Sequence, residues 1–468
     1  MRPYEHDESE PEAISRRRFL KAMAQASATT LAMGAPRLIA AQARAVDSPA
    51  PARADACILL WMAGGMAAQE TLDPKRFVPF EKGIPLREVE STFKKIPTSV
   101  DGIHFTEGLE NLASVMDKGS LIRSHVLPDL GAILHSRHQY HWHTGYVPPQ
   151  TVACPHLGAW VARILEPRKS AMPAFVTIGQ RFEGNKESEE LKAMTSAGFL
   201  GGEYGPIILT SARDAMQALS PADGMSPGRF ENRYRFYRKL VEASPDRKFM
   251  SDFHQQSLLA SMDNADRLLS SNERLAFDIS KEPAASADKY GVSRFGEGCL
   301  LARRLIEAGS RFVEVSTEFL PFQLWDTHAN GHEGTAKMKR EVDLPIAQLI
   351  RDLEARGLLD RTLVVVASEF SRDVIIEGAP NKEGATHPGA SAQAEFLNDL
   401  KQYGHHRHFT GSASVLMFGG GMRRGYAYGR TAEQRPFVAV EKPVTVTDIH
   451  ATILKAMGIS PRASYDIE

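Results

Sequence analysis

Histidines and carboxylates recur in five short segments of this chain, and these residue types suit a divalent metal ion. The segments are residues 69–74, 135–145, 325–332, 368–372 and 405–408. Carboxylates neutralise the charge of such an ion, neutral imidazoles complete its coordination, and an open position takes water or a substrate oxygen. If the fold brings the segments together, the sequence predicts a hydrolytic metal centre.

The spacing within these segments favours some histidines over others. The histidines that follow His135 in its segment fall on different sides of a predicted helix, so at most two of them can face a site shared with His135. His405 and His406 are expected to be solvated neighbours, which leaves His408 as the better candidate ligand. A lone aspartate and histidine in one loop are more often a turn with a surface imidazole, so the metal hypothesis depends on several segments converging.

The elements that must position these residues follow from the hydrophobic pattern. A continuous apolar run at residues 56–62 predicts a strand buried on both faces, a second buried strand is predicted at 362–367, and further strands are predicted at 120–124, 174–178, 311–315 and 414–418. Amphipathic patterns predict helices at residues 297–308, 335–355 and 446–457. This alternation is typical of an α/β fold with a mostly parallel central sheet and helices on both faces. Ligands of such folds bind outside the carboxyl ends of the strands, where most of the polar segments begin.

The bulk composition argues against several classes of protein. The 468 residues carry a formal net charge of -1, so the protein as a whole has no field that attracts nucleic acid or an anionic membrane. Its three cysteines are widely spaced and form no CxxC pair. This pattern argues against a disulfide framework and against a cysteine-ligated zinc site.

The N-terminal residues resemble an export signal. Residues 15–21 read S-R-R-R-F-L-K, which matches the twin-arginine pattern S-R-R-x-F-L-K, and small residues at 41–45 offer cleavage sites. The expected organisation is a signal peptide at residues 1–45, a linker at 46–55 and an α/β domain at 56–468, with a helical insertion at about 229–280. After passage through the twin-arginine machinery, the protein is expected to be periplasmic or extracellular, without an integral membrane segment.

Several segments resemble the alkaline phosphatase and sulfatase superfamily. Residues 362–369, T-L-V-V-V-A-S-E, are similar to the T-L-V-I-F-T-S-D stretch that carries a metal-binding aspartate in sulfatases. Residues 448–454, D-I-H-A-T-I-L, resemble the closing D-I-x-P-T-L-L helix of those enzymes. His408, ahead of the apolar run at 414–418, resembles the last metal histidine of alkaline phosphatases.

The resemblance is closer to a large bacterial family within that superfamily, a domain family of unknown function. Its members begin with a twin-arginine signal and carry G-G-x-S…D-T-F-D-P-K, W-D-T-H-x-N, S-E-F-G-R and G-G-G segments. The matching residues here are 64–65 with 70–75, 325–330, 368–372 and 419–421. The resemblance covers residues from about 56 to 460 and implies the fold and the site more firmly than an activity.

The same resemblance implies a set of metal ligands. They are Glu70 or Asp73 as the first carboxylate, Asp326 and His328 as an Asp/His pair, Glu369 as the next carboxylate and His408 as the last histidine. Phe370 stands where the superfamily has the second ligand of an Asp-His or Asp-Asn pair, which favours one divalent ion over two. The ion could be Zn, Mn, Fe or Ca.

The nucleophile of the superfamily has no counterpart of the usual type. Sulfatases carry C/S-x-P-x-R shortly before L-T-G, and counting back from residues 144–145 places His135 at the nucleophile position. Gln139 stands where the arginine would be. His135 is therefore a candidate general base or nitrogen nucleophile, because a neutral imidazole can serve as either near pH 7.

The leading hypothesis is a metal-dependent hydrolase that acts on a small anionic phosphate or sulfate ester, or on a sulfated glycan. Arg123, Arg137 or Arg372 could clamp the ester oxygens. A second hypothesis is a non-catalytic binding protein for sulfated or phosphorylated glycans, or for a protein partner, on a degraded hydrolase scaffold. A redox or metal-storage protein is disfavoured by the cysteine count and the lack of a Met/His repeat. Alternatively, Asp326 and Glu369 only accept backbone N–H groups, and no metal is needed.

Overall fold

A computed structural model describes residues 51–131, 133–148, 150, 152–167, 171–180, 195–219, 225–243, 252–317, 325–376 and 395–462. The twin-arginine motif, the cleavage sites and the start of the linker lie outside these residues, so export stays a prediction. In the described part of the chain, no helix has both the length and the apolar character needed to cross a membrane.

Most strands of the described residues belong to one central sheet. The strands are β1 Ala56–Trp61, β2 Lys95–Pro97, β3 His104–Thr106, β4 Gly119–His125, β5 Phe175–Ile178, β6 Ile207–Leu209, β7 Phe312–Ser316, β8 Thr362–Ala367, β9 Ser371–Asp373, β10 Arg407–Phe409, β11 Ala413–Phe418, β12 Tyr426–Tyr428, β13 Arg430–Thr431 and β14 Ala439–Glu441. The central sheet has eight strands in the order β12-β4-β11-β8-β1-β7-β5-β6. The others form two-stranded ribbons, β9 with β10, β13 with β14 and β2 with β3.

The strand directions decide which segments meet. β1 runs parallel to β7 and β8, and β5 runs parallel to β6 and β7. β11 is antiparallel to both of its neighbours, β4 and β8, so β4 and β8 point the same way. The carboxyl ends of β1, β4, β7 and β8 therefore share one edge of the sheet with the amino end of β11. Four of the candidate site segments follow β1, β4, β7 and β8, and the fifth precedes β11, so all five reach this edge.

Helices pack on both faces of the sheet. The helices are α1 Glu110–Ala113, α2 His135–Thr144, α3 Leu157–Leu165, α4 Ala215–Ala218, α5 Pro227–Ala243, α6 Asp252–Ser270, α7 Ala284–Ala287, α8 Arg294–Ala308, α9 Gly331–Ala355 and α10 Val446–Ala456. In β1, Ile58 and Leu60 join a cluster with residues of α8 and α9, whereas Leu59 and Trp61 join a cluster with residues of α3 and α10. Both faces of the strand are buried, which explains its continuous apolar sequence.

The predicted fold class is confirmed. The structure is an α/β fold with a mostly parallel sheet and helices on both faces. Each predicted strand is present, and the predicted helices are α8, α9 and α10, of which α8 and α9 begin a few residues earlier than the pattern indicated. The described part of residues 229–280 contains α6 and most of α5.

Candidate metal centre

Three histidines surround one carboxylate at the shared edge of the sheet. Asp326 Oδ1 lies 3.2 Å from His135 Nε2, 2.9 Å from His328 Nε2 and 3.6 Å from His408 Nε2. One ligand atom from each of these four residues lies within 4.8 Å of the others. Imidazole nitrogens and a carboxylate oxygen bind a divalent ion at about 2 Å, so a single ion fits between them. These four residues are the candidate metal centre.

The four residues come from separate parts of the chain. His135 begins α2 after β4, Asp326 and His328 follow β7, and His408 lies in β10 just before β11. The antiparallel ribbon of β9 and β10 pairs His408 with Arg372 and ties the segment after β8 to the segment before β11. The side chains meet because the sheet topology brings these strand ends to one edge.

The turn after β1 passes close to the carboxylate. The backbone φ of Gly64 is +112°, and a Cβ atom there would lie 2.5 Å from the backbone nitrogen of Asp326. The N–H of Gly64 donates to Glu369 Oε1 at 2.8 Å, and its carbonyl oxygen accepts a hydrogen bond from Arg372 at 2.9 Å. This position therefore requires glycine, both for the positive φ and for the close backbone approach.

We expect Gly64→Ala to destabilise the fold by about 2 kcal/mol more than Gly83→Ala. Both glycines have a positive φ, +112° and +92°, so both variants carry the backbone strain of a non-glycine residue there. A Cβ at Gly83 meets nothing within 4 Å, whereas a Cβ at Gly64 meets backbone atoms of Trp325 and Asp326. Urea unfolding measures the difference, and equal losses in the two variants would contradict the importance of the close approach.

Glu369, predicted as a metal ligand, lies behind His135 and outside the candidate metal centre. Its Oε1 is 2.7 Å from His135 Nδ1, and it also accepts from the Gly64 N–H at 2.8 Å and from Gln139 Nε2 at 3.3 Å. An ionised carboxylate only accepts, so His135 donates its Nδ1 proton and presents the Nε2 lone pair to Asp326. Glu369 thus orients a candidate ligand, as carboxylates behind metal-bound histidines commonly do.

Two carboxylates set the protonation of His135. Burial lowers the pKa of His135, but the hydrogen bonds and charges of Asp326 and Glu369 outweigh burial and raise the pKa to about 9. Burial raises the pKa of Asp326, and the hydrogen bonds from His135, His328 and His408 more than reverse this and hold it well below its usual range. Without a metal ion, a proton on His135 therefore takes the place next to Asp326 that a cation would occupy.

The candidate metal centre is open to solvent on one side. The side chain of His328 is 56% exposed, whereas those of His135 and His408 are 8% and 10% exposed. The ring of Phe370, buried, lies 4.8 Å from the ring of His135 and 4.7 Å from that of His408. A ligand can approach on the His328 side, while Phe370 fills the space behind the other two imidazoles.

Glu70, another predicted ligand, is paired elsewhere and is not part of the candidate metal centre. It is buried, and its Oε1 lies 3.0 Å from His405 Nε2. The same oxygen accepts a hydrogen bond from the backbone N–H of Thr92 at 3.1 Å. Burial raises the pKa of Glu70, and the charge of His405 together with hydrogen bonds lowers it overall. The expectation that His405 is solvated is wrong: it is 1% exposed, because a buried carboxylate needs a partner in the interior.

Asp73, the alternative first carboxylate, is also paired within the protein. Its Oδ2 lies 3.2 Å from Lys75 Nζ and accepts a hydrogen bond from the hydroxyl of Thr431. Its Oδ1 lies 3.5 Å from Arg123 Nε. Asp73 lies outside the candidate metal centre, and the guanidinium of Arg123, predicted as a clamp for ester oxygens, faces this carboxylate.

Arg372, another of the predicted clamps, is fully buried. Its guanidinium donates to Asp326 and to the carbonyl oxygens of Gly64 and Gly65, and to that of His406 at 3.1 Å. These donors are used inside the protein, so the structure does not support contact with a substrate. Instead, Arg372 holds the carboxylate of Asp326 in place from beneath.

A second acid and histidine group, which the sequence did not single out, lies inside the fold. Glu314 Oε1 is 3.3 Å from His143 Nε2, and Glu314 Oε2 is 3.0 Å from His156 Nε2. Gln180 Nε2 donates to Glu314 Oε1 at 2.6 Å. All four side chains are buried. The available signal was an acidic residue between two valines in the predicted strand at 311–315.

The hydrogen bonds of the two histidines in this second group argue against a bound metal ion. His156 Nδ1 accepts the N–H of Gly158 at 2.8 Å, so its proton is on Nε2 and that atom has no lone pair for a metal. His143 Nδ1 lies 2.8 Å from the carbonyl oxygen of Gln139 and donates to it. Glu314 supplies the one negative charge of this buried group, so a divalent ion beside it would leave an excess of positive charge in the interior. The group is therefore a buried acid–base network.

Sequence comparison places the chain in a family. Residues 54–466 match the family described as "Protein of unknown function (DUF1501)". The chain belongs to the DUF1501 family. This agrees with the domain family of unknown function that the sequence motifs resemble. No curated protein matches the sequence.

Solved structures similar to this DUF1501 protein include three bacterial enzymes. The lipoteichoic acid synthase LtaP from Listeria monocytogenes is 10% identical, with a TM-score of 0.35 over 88% of this chain and 74% of that chain. The alkaline phosphatase of the Antarctic bacterium TAB5 is 12% identical, with a TM-score of 0.34 over 86% and 98%. The PsFucS1 sulfatase from Pseudoalteromonas sp. is 10% identical, with a TM-score of 0.35 over 88% and 69%. Such values concern the fold and carry no argument about activity.

Proposed function

We propose that this DUF1501 protein is a metal-dependent hydrolase of phosphate or sulfate esters, with one divalent ion held by His135, Asp326, His328 and His408. The observation that carries the proposal is the convergence of three imidazole Nε2 atoms on Asp326 Oδ1, at 3.2, 2.9 and 3.6 Å, beside the solvent-exposed His328. Of the three, His135 Nε2 presents a lone pair because its Nδ1 donates to Glu369, and a lone pair that faces a carboxylate requires a proton or a cation between them. A divalent ion there supplies Lewis-acid chemistry, polarising an ester oxygen and acidifying water.

The residues behind the candidate metal centre prepare it for this task. Glu369 accepts the Nδ1 proton of His135 and so directs the Nε2 lone pair of that ring toward Asp326. Arg372 donates to Asp326 and keeps the carboxylate oriented. Because Glu369 and Asp326 engage both ring nitrogens of His135, this residue serves as a ligand in the proposal, and not as the general base or nucleophile expected from the sequence.

The charges around the site favour an anionic substrate. A divalent ion and the guanidinium of Arg372 outweigh the carboxylates of Asp326 and Glu369, so the loaded site is net positive. A net positive site attracts an anionic ester and stabilises the charge that develops on its oxygens. The choice of phosphate or sulfate esters is supported by the sequence resemblance of residues 362–369 and 448–454 to sulfatases.

Metal content and hydrolysis can be measured on one purified sample. The folded protein is loaded with Zn²⁺ or Mn²⁺ and desalted, its metal is quantified by mass spectrometry, and p-nitrophenyl phosphate and p-nitrophenyl sulfate are offered in turn. We expect one bound ion per chain. We also expect hydrolysis of one of the two esters, and we expect a chelator to abolish that hydrolysis. A protein that retains no metal would refute the proposal. One bound ion without hydrolysis of either ester would favour a non-catalytic binder of sulfated or phosphorylated glycans.

A further inference from the structure

Helix α5 contacts α6 through one side, where two of its side chains bind Asp263 of α6. The hydroxyl of Tyr234 donates to Asp263, and Arg238 Nη1 donates to the same carboxylate at 2.7 Å. Phe230 and Val241 lie on this side of α5 and are half-buried. The opposite side of the helix is therefore turned away from α6.

That opposite side combines apolar and basic side chains. Phe236, Tyr237 and Leu240 are 63%, 54% and 51% exposed. Arg229 and Arg233 are also exposed and fall on the same arc, because residues three, four and seven positions apart lie on one side of an α-helix. These five residues are called the basic-aromatic face below.

The acidic residues of α5 do not neutralise this face. Glu231 pairs with Arg235 at 3.7 Å, and Glu242 pairs with Arg238 at 3.1 Å. Both glutamates lie on other sides of the helix. The basic-aromatic face thus presents positive charge next to exposed apolar surface, although the whole protein has a net charge of -1. Any attraction to an anionic partner at this face is therefore local.

We propose that the basic-aromatic face binds peripherally to the surface of an anionic phospholipid bilayer. A helix with arginines beside exposed Phe and Leu side chains can lie in the interface, with the apolar groups among the acyl chains and the guanidinium groups at the lipid phosphates. The charge complementarity between Arg229, Arg233 and anionic headgroups favours this partner. This inference does not depend on the metal centre or on the proposed hydrolase activity.

Two other partners fit the face less well. A second copy docked through the same face would bury Arg229 and Arg233 of both chains against a face that carries no acidic residue, and burial of unpaired charges opposes association. A sulfated polysaccharide would satisfy the arginines and could stack on Tyr237, but it offers no apolar environment for Leu240. An anionic bilayer provides for the charged and the apolar side chains together.

The experiment is co-sedimentation of the full chain with vesicles of phosphatidylcholine alone and of phosphatidylcholine with phosphatidylglycerol. We expect binding to the anionic vesicles, weakened by salt, and little binding to the neutral ones. Arg229→Glu with Arg233→Glu should lower the partition coefficient at least about tenfold. Phe236→Ser with Leu240→Ser should lower it about fivefold or more at low salt.

A matched control uses two exposed basic residues of another helix. Lys337→Glu with Arg340→Glu on α9 makes the same change in net charge and should bind like the unmodified chain. The N-terminal residues are the same in all variants, so differences between variants report on α5. Absence of binding to anionic vesicles, or equal loss in the α5 and α9 variants, would overturn the proposal. Binding to heparin but not to vesicles would also overturn it and assign the face to an anionic polysaccharide.

Discussion

Asp326→Asn is expected to weaken divalent-metal binding at least about a hundredfold. Asp326 supplies the one negative charge among the four residues of the candidate metal centre, and three imidazole nitrogens lie within 3.6 Å of its Oδ1. Asparagine keeps the size of the side chain and a carbonyl oxygen, but it removes the charge that neutralises the ion. Isothermal titration of metal-free protein with Zn²⁺ or Mn²⁺ measures the loss.

Asp343→Asn is the control for removing a buried carboxylate. Asp343 lies in α9 and accepts the backbone N–H groups of Asn111 at 3.1 Å and Leu112 at 2.8 Å, so its loss should affect stability without changing metal affinity. Since Asp326→Asn leaves the charge of Arg372 buried, its fold is checked by a thermal melt before the titration. A folded Asp326→Asn variant that binds metal as tightly as the unmodified protein would disprove the metal centre.

Glu314→Gln is expected to lower the free energy of unfolding by about 3 kcal/mol. The carboxylate lies in β7, buried, and receives His156 Nε2 at 3.0 Å and Gln180 Nε2 at 2.6 Å, with His143 Nε2 at 3.3 Å. Glutamine is almost the same size but carries no charge, so the buried hydrogen bonds from His156 Nε2 and Gln180 Nε2 would lose their ionised acceptor. Urea unfolding monitored by circular dichroism gives the difference.

The same network makes a prediction about pH. Burial raises the pKa of Glu314, but His143 and His156 outweigh burial and lower the pKa to about 2. An unfolded glutamate has a pKa of about 4.3, so the folded carboxylate contributes about 3 kcal/mol above that pH. This contribution is lost as pH falls from about 4.3 through 2, because the unfolded chain takes up the proton first. The Glu314→Gln variant should therefore lose less stability than the unmodified protein over this range.

Glu354→Gln is the control for losing a glutamate at the surface. Its side chain is 37% exposed and pairs with Lys118 at 2.9 Å and with Arg424 at 3.4 Å. Exposed pairs of this kind contribute about 0–1 kcal/mol, so this variant should unfold nearly like the unmodified protein. If Glu314→Gln behaved like Glu354→Gln at neutral pH, the buried network would not be stabilising.

The strand pattern was sufficient to predict that Asp326 and His328 would reach one edge of the sheet. Each follows a buried strand, and the carboxyl ends of parallel strands share an edge. His408 was different, because it lies just before β11 and not after a strand of the central sheet. It reaches the same edge because β11 runs antiparallel to β4 and β8. Hydrophobic periodicity carries no information on strand direction, and His408 was found through its resemblance to the last histidine of alkaline phosphatases.

The sequence did not distinguish the acidic residues that reach the site from those that serve the interior. Glu70 and Glu369 both follow strands that end at the same edge, yet Glu70 pairs with His405 and Glu369 with His135. Which partner each carboxylate meets depends on packing between segments far apart in the chain. His135 and Glu369 are separated by 234 residues, and local spacing says nothing about their contact.

By itself, the sequence determined the α/β class, six of the eight strands of the central sheet, and the segments that carry histidine and carboxylate, because burial on both faces of a sheet imposes a readable apolar pattern. Only the tertiary structure decided that Arg372 is buried beneath Asp326 and that His135 turns its Nε2 toward the same carboxylate. It also decided that Glu314 has histidine partners in the core. Hydrogen bonds form over about 3 Å, and such distances are set by how whole elements pack and not by the residues next along the chain.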